Sequence, residues 1–114
     1  MAGKTLGSVC HGALGFINAK KAVGSLLVQG KNMTGVTDRQ VFQLGIGKIT
    51  PMHPEDELRK RGANYKARNG VLTDLDQSLV VVDGSIVTGQ NQNSACETAQ
   101  RMLDQVEQSF SVII

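Results

Sequence analysis

Short apolar runs, separated by glycines and polar clusters, fill most of the chain, and one stretch with a period of three and four closes it. Leu6, Gly7, Ser8 and Val9 form a run suited to a buried strand, which stops abruptly at Cys10. The small residues His11, Gly12 and Ala13 make a turn, and Leu14, Phe16 and Ile17 predict the buried side of a helix behind it. Residues 18–24 are a polar, Lys-rich connection. Leu26, Leu27 and Val28 predict a short strand, residues 29–32 a turn, and residues 33–36 a second short strand. Thr37 and Gln40 have the spacing of a capping box, opening a helix that carries Val41, Phe42 and Leu44 and ends at Gly45.

Residues 46–50 fit either loop or strand. The helix after them is better marked: Pro54 suits its first position, Glu55, Asp56 and Glu57 crowd its positive end, Arg59, Lys60 and Arg61 its negative end, and Gly62 stops it. A strand over 63–66 and a loop over 68–78 follow. Val80, Val81 and Val82, then Asp83-Gly84, then Ser85, Ile86 and Val87 predict a hairpin, with the Asp-Gly pair supplying positive φ angles. Residues 89–93 are a polar turn, and Ser94 with Glu97 has the spacing of a second capping box. Behind it Ala95, Ala99, Met102, Leu103, Val106 and Phe110 recur every three or four residues, the pattern of an amphipathic helix. Cys96, in its first turn, reads as a packing residue.

At 114 residues there is room for one domain with a modest core. Apolar residues make up 40% and aromatics 4%, so that core is aliphatic, as suits an α/β interior. The net charge of +2 is interspersed. Arg59, Lys60, Arg61, Lys66 and Arg68 read as a solvated face rather than a nucleic-acid surface, which needs a denser stripe with stacking aromatics. No apolar run reaches membrane-spanning length, and the N-terminus does not have the form of a signal peptide. Two cysteines without a leader point to a reducing compartment, so a cytoplasmic protein is expected. With two histidines at unrelated positions and no Cys-x-x-Cys, neither a zinc site nor another metal site is expected.

A strand, a sharp turn and a helix with a nucleophilic side chain at the corner is the nucleophile-elbow arrangement. Two readings compete for Cys10: a buried free thiol behaving as a small hydrophobe, or a nucleophile. On the second, the helix N-terminus lowers the cysteine pKa, and the imidazole of His11 accepts the thiol proton or stabilises the anion. The backbone N–H groups of His11 and Gly12 would be the donors to an oxyanion.

Val9-Cys10-His11-Gly12-Ala13, preceded by Gly3-Lys4, resembles the cysteine elbow of the ThiJ/PfpI superfamily, the class I glutamine amidotransferase-like proteins. Gly30-Lys31 through Met33-Thr34-Gly35-Val36-Thr37 is similar to that family's Thr-Gly strand. Pro54-Glu55-Asp56-Glu57-Leu58 with Arg61-Gly62-Ala63, and Val80-Val81-Val82-Asp83-Gly84 with Val87-Thr88-Gly89-Gln90-Asn91, are similar to two further blocks, so the match covers nearly the whole chain. The resemblance implies a flavodoxin-like three-layer α/β sandwich. Because the elbow lies near the middle of family domains, it also implies that residues 1–114 form a single partial domain equivalent to the C-terminal half. A half-sheet leaves strand edges and apolar faces uncovered, so the expected partner is a second copy or a complementary N-terminal half.

In the chaperone-like and glyoxalase-like branches the site is a Cys-His-acid set, which maps onto Cys10 and His11. The acid position falls on Val41, which cannot orient an imidazole. Asp38 is the nearest carboxylate and the weak substitute, Gln40 a neutral one, and His53 reads as the residue capping the helix opened by Pro54. Two functions follow. The first is a cofactor-independent, cysteine-dependent enzyme acting on small carbonyl compounds, a glyoxalase-like lyase or an amidotransferase-like hydrolase. The second is a non-catalytic half-domain with a chaperone-like or regulatory role, assembled by oligomerisation.

Overall fold

The computed structural model describes residues 4–21, 23–46, 51–68 and 78–113, with side chains up to residue 107. Five strands are present among them: β1 (Leu6–Val9), β2 (Asn32–Thr34), β3 (Asn64–Lys66), β4 (Val80–Asp83) and β5 (Ile86–Gly89). The α-helices are α1 (Asp38–Gln43), α2 (Pro54–Lys60) and α3 (Ala95–Ile113). One sheet has the order β1-β5-β4 and the other pairs β2 with β3.

β1 runs parallel to β5, with Leu6 opposite Ile86 and Val9 opposite Gly89, and β4 closes antiparallel on β5. β2 and β3 are parallel, Met33 facing Tyr65. Two side chains tie the sheets together. The Asn32 N–H donates to Asp83 Oδ2 at 2.7 Å, and the Thr34 N–H to Thr88 Oγ1 at 2.9 Å. Asp83 lies beside the start of β5 and Thr88 near its end, so β2 runs in the same sense as β5 and β1. The carboxyl ends of β1, β2 and β3 therefore share one rim.

The core under that rim gathers Ala13, Val28, Met33, Leu58, Ala63 and Tyr65, with Phe16 and Ile17 packed against it. α3 lies across β1 and β5, and Met102 sits so close over Gly7 that any side chain there would collide with it.

The helix starts follow the sequence. Thr37 accepts from the Gln40 N–H at 3.1 Å and Gln40 Oε1 from the Thr37 N–H at 3.2 Å, so the first capping box is complete. Pro54 opens α2, which carries the i,i+4 ion pairs Glu55–Arg59, Asp56–Lys60 and Glu57–Arg61 before Gly62 turns the chain at φ +90.

Other elements differ. Leu26 makes only an isolated bridge to Lys20, and residues 27–30 are turn, although Leu27 and Val28 are buried. These residues serve as core anchors on a turn rather than as a strand. The segment after Cys10 is a 3₁₀ helix (Cys10–Phe16), and its buried residue is Ala13. The hairpin loop is Gly84-Ser85, with Asp83 still paired to Ile86, and the positive φ belongs to Gly84. Asn91 rather than Ser94 caps the approach to α3, its side chain accepting from the Asn93 N–H at 3.0 Å. Ser94 instead accepts from the Leu79 N–H at 3.1 Å. Cys96 is exposed, not packed. The expectations for 47–50 and 69–77 lie outside the described residues.

Candidate active site at the Cys10 corner

Val9 ends β1 in an extended conformation, and Cys10 then turns the backbone to φ +80. Among the described residues it is the one non-glycine with a positive φ. A side chain there costs on the order of 1–3 kcal/mol, and such outliers persist where surrounding contacts hold them. Here the contacts are specific. The Val36 N–H donates to the Cys10 carbonyl at 3.2 Å, and the buried Tyr65 hydroxyl donates to the Val36 carbonyl at 2.8 Å. Gly35 makes this possible: a Cβ on it would meet the Tyr65 hydroxyl, Ala13 Cβ and the Cys10 carbonyl.

The same turn brings Cys10 Sγ to 3.7 Å from His11 Nδ1, with both side chains half-buried. Burial pushes the Cys10 thiol up, and the hydrogen bond from the His11 backbone N–H works against that. The lowered thiol pKa expected from sequence is thus reversed. A seven-residue 3₁₀ segment lacks the aligned peptides of an α-helix, and desolvation outweighs one N–H.

Asp38 goes elsewhere. Its Oδ1 lies 3.4 Å from His53 Nδ1, and its N–H donates to Glu55 Oε1 at 3.0 Å. Burial, then the nearby charge of Glu55, raise its carboxyl, while His53 acts the other way. Phe42 stacks on the His53 ring at 6.3 Å. His53 stands at the N-cap of α2, as expected, but its side chain makes no cap hydrogen bond and instead faces Asp38. Val41 is fully buried on α1, and Gln40, also buried, spends its side chain on the capping box. The structure thus brings Cys10 and His11 together, and pairs Asp38 with His53.

Tyr65 and Gly35 are the site residues that periodicity does not single out. Tyr65 is held by the Val36 carbonyl and by Arg59, whose guanidinium lies 5.5 Å from the ring centre. Burial is the main reason its hydroxyl is pushed far above the usual phenol range, so it acts as a neutral donor. Among the described residues no group of three or more His, Cys, Asp or Glu is placed to hold a metal ion, and no helix is long and apolar enough to cross a membrane.

No family model matches the chain. Individual proteins do. The glutathione-independent glyoxalase HSP31 of Saccharomyces cerevisiae is 36% identical over 107 residues, covering 90% of this chain and 44% of the relative. Glyoxalase 3 of Candida albicans is 33% identical over 106 residues, covering 89% and 43%. A crystal structure of glyoxalase III from the same organism superposes with a TM-score of 0.78 at 32% identity, over 89% of this chain and 43% of that one. The chain's homologues are glyoxalase III-type proteins of the ThiJ/PfpI superfamily. The Rapid Encystment Protein of Francisella tularensis superposes with a TM-score of 0.82 at 29% identity, over 91% of this chain and 44% of that one. The chain therefore spans about half the length of the curated relatives it matches. That agrees with the α/β fold and the half-domain correspondence implied by its motifs.

Proposed function

We propose that the chain carries a ThiJ/PfpI-type cysteine centre acting on small carbonyl compounds, with Cys10 as nucleophile and His11 as its proton partner. One observation carries the reading: a non-glycine residue held at φ +80 on a strand-to-helix corner, with its sulfur 3.7 Å from an imidazole nitrogen. A strained conformation kept in place by Val36, Tyr65 and Gly35 presents that sulfur, which a packing cysteine does not need.

In the first step the thiol proton passes to His11 and the sulfur bonds to the aldehyde carbon. The carbonyl π pair moves to oxygen, which His11 then protonates, giving a hemithioacetal with nothing lost. The backbone N–H groups of His11 and Gly12 are the donors to the developing oxyanion. Burial favours the protonated thiol at rest, so proton transfer from sulfur to His11 accompanies attack. Asp38, facing His53, plays at most an indirect part. The curated relatives are named glyoxalases, and methylglyoxal is the natural first substrate to try.

The second reading is a non-catalytic binding role. The raised thiol pKa and the buried valine at the expected acid position favour it. In either case the chain associates with a second copy through the apolar side of α3. A cytoplasmic location agrees with the two free cysteines. The test is consumption of methylglyoxal without glutathione. Turnover in the full chain that Cys10→Ser abolishes while leaving the circular dichroism unchanged supports the enzyme. Absence of turnover at concentrations where the chain is assembled rejects it in favour of binding.

A further inference from the structure

Three carboxylates crowd the first turn of α2, and one of them does more than complement the helix dipole. Asp56 and Glu57 pair within α2, with Lys60 and Arg61 one turn on. The Asp56 side chain is 51% exposed, and exposed pairs of that kind contribute little. The Glu55 side chain is 20% exposed, and both of its oxygens are engaged. Oε2 accepts from Arg59 Nε and a terminal nitrogen at 3.1 and 2.9 Å. Oε1 accepts from the backbone N–H of Asp38, the first residue of α1, at 3.0 Å.

Both contacts lead to the residues that grip Cys10. Asp38 stands two positions after Val36, whose N–H holds the Cys10 carbonyl. From the other side, Glu55 fixes the guanidinium of Arg59, which lies over the Tyr65 ring at 5.5 Å. The Tyr65 hydroxyl in turn holds the Val36 carbonyl. One carboxylate thus restrains residues 35–38 at Asp38 and, through Arg59 and Tyr65, at Val36. A positive φ on a residue with a side chain persists where its surroundings over-determine it, and a restraint by two routes does so.

We propose that Glu55 is a positioning residue of the Cys10 corner, holding residues 35–38 in the place that keeps Cys10 at its positive φ. That the sulfur so presented is a nucleophile rests on the reading above. The restraint itself does not.

The experiment measures coupling between positions 10 and 55 by urea unfolding of the full chain. Glycine takes a positive φ without the steric cost that alanine bears. With Glu55 in place, Cys10→Gly is therefore expected to exceed Cys10→Ala in folding equilibrium constant about fivefold. With Glu55→Ala added, the corner relaxes and that advantage is expected to vanish. A purely structural loss at position 55 lowers both chains equally and leaves the ratio between them unchanged. Glu55→Gln keeps the shape and an acceptor for the Asp38 N–H while weakening the hold on Arg59. It is expected to give an intermediate ratio, and it carries the test should Glu55→Ala fail to fold. Asp56→Ala removes a carboxylate from the same turn and is expected to leave the ratio at its full value. An unchanged ratio in the Glu55 variants, or an equal loss in Asp56→Ala, overturns the proposal. Coupling in a chain that does not consume methylglyoxal leaves the positioning role standing and removes the catalytic reading. Turnover without coupling does the reverse.

Discussion

At the scale of single residues, Cys10 joins a strained backbone to a thiol that burial holds protonated. The sign of that burial is testable. A thiol whose pKa is higher in the folded than in the unfolded chain contributes stability that is full below the unfolded value. That contribution is lost as pH rises through the folded one. The difference in urea midpoint between the wild type and Cys10→Ser is therefore expected to move against the wild type as pH climbs from neutrality past about 9. A difference that stays constant through that range would mean the thiol is not desolvated. The two cysteines also reverse the order that the sequence implies. Cys96 is exposed and Cys10 half-buried with a raised pKa, so iodoacetamide is expected to label Cys96 first at neutral pH. Faster labelling of Cys10 would show that its thiolate gains a stabilising partner in the assembled protein. The neighbouring Cys-His letters make the pair visible in the sequence. The φ of +80, the Tyr65 hydroxyl and the close approach at Gly35 depend on residues far apart in the chain, and no local pattern announces them.

At the scale of elements, legibility followed how local the cause is. The capping box of α1, the Pro54-to-Gly62 frame of α2 and the β4–β5 hairpin each rest on residues within one turn, and each appears in the structure. Leu26 to Val28 looked like a strand because three apolar residues in a row carry no period that separates strand from anchored turn. Ser94 had the letters of a cap, but tertiary contact with Leu79 claimed its hydroxyl and Asn91 took the capping place. α1 decides the question of the absent acid. If Val41 lay at the edge of the site, Val41→Glu would supply a carboxylate to His11. Val41 is instead fully buried, so the substitution places an ionisable group in the core without a partner. It is expected to cost roughly 2–4 kcal/mol and to raise no activity. A urea midpoint unchanged from wild type, with a shifted Cys10 titration, would instead place position 41 beside the imidazole.

At the scale of the whole molecule, the same amphipathic pattern that marks α3 raises the question of what covers it. Leu103 is 57% and Val106 43% exposed, and with Thr5, Ala99 and Met102 they border an apolar groove of about 530 Å³. β1 is the outer strand of its sheet among the described residues, and Val82 is 37% exposed, so the strands are not enclosed on both faces as their composition implied. Covering a Leu and a Val side chain is worth roughly 1.5–3 kcal/mol each. An unpaired strand edge beside such a groove offers backbone hydrogen bonds as well. Two copies meeting through α3 and β1 would satisfy both at once. Sedimentation at micromolar concentration is expected to give a species of at least twice 12.2 kDa. Leu103→Glu with Val106→Glu, placed on side chains already largely exposed, is expected to shift it to 12.2 kDa without loss of helical signal. A wild-type chain that sediments at 12.2 kDa and unfolds in one cooperative transition would show that the exposed stripe needs no cover, and that this half-length fold stands alone.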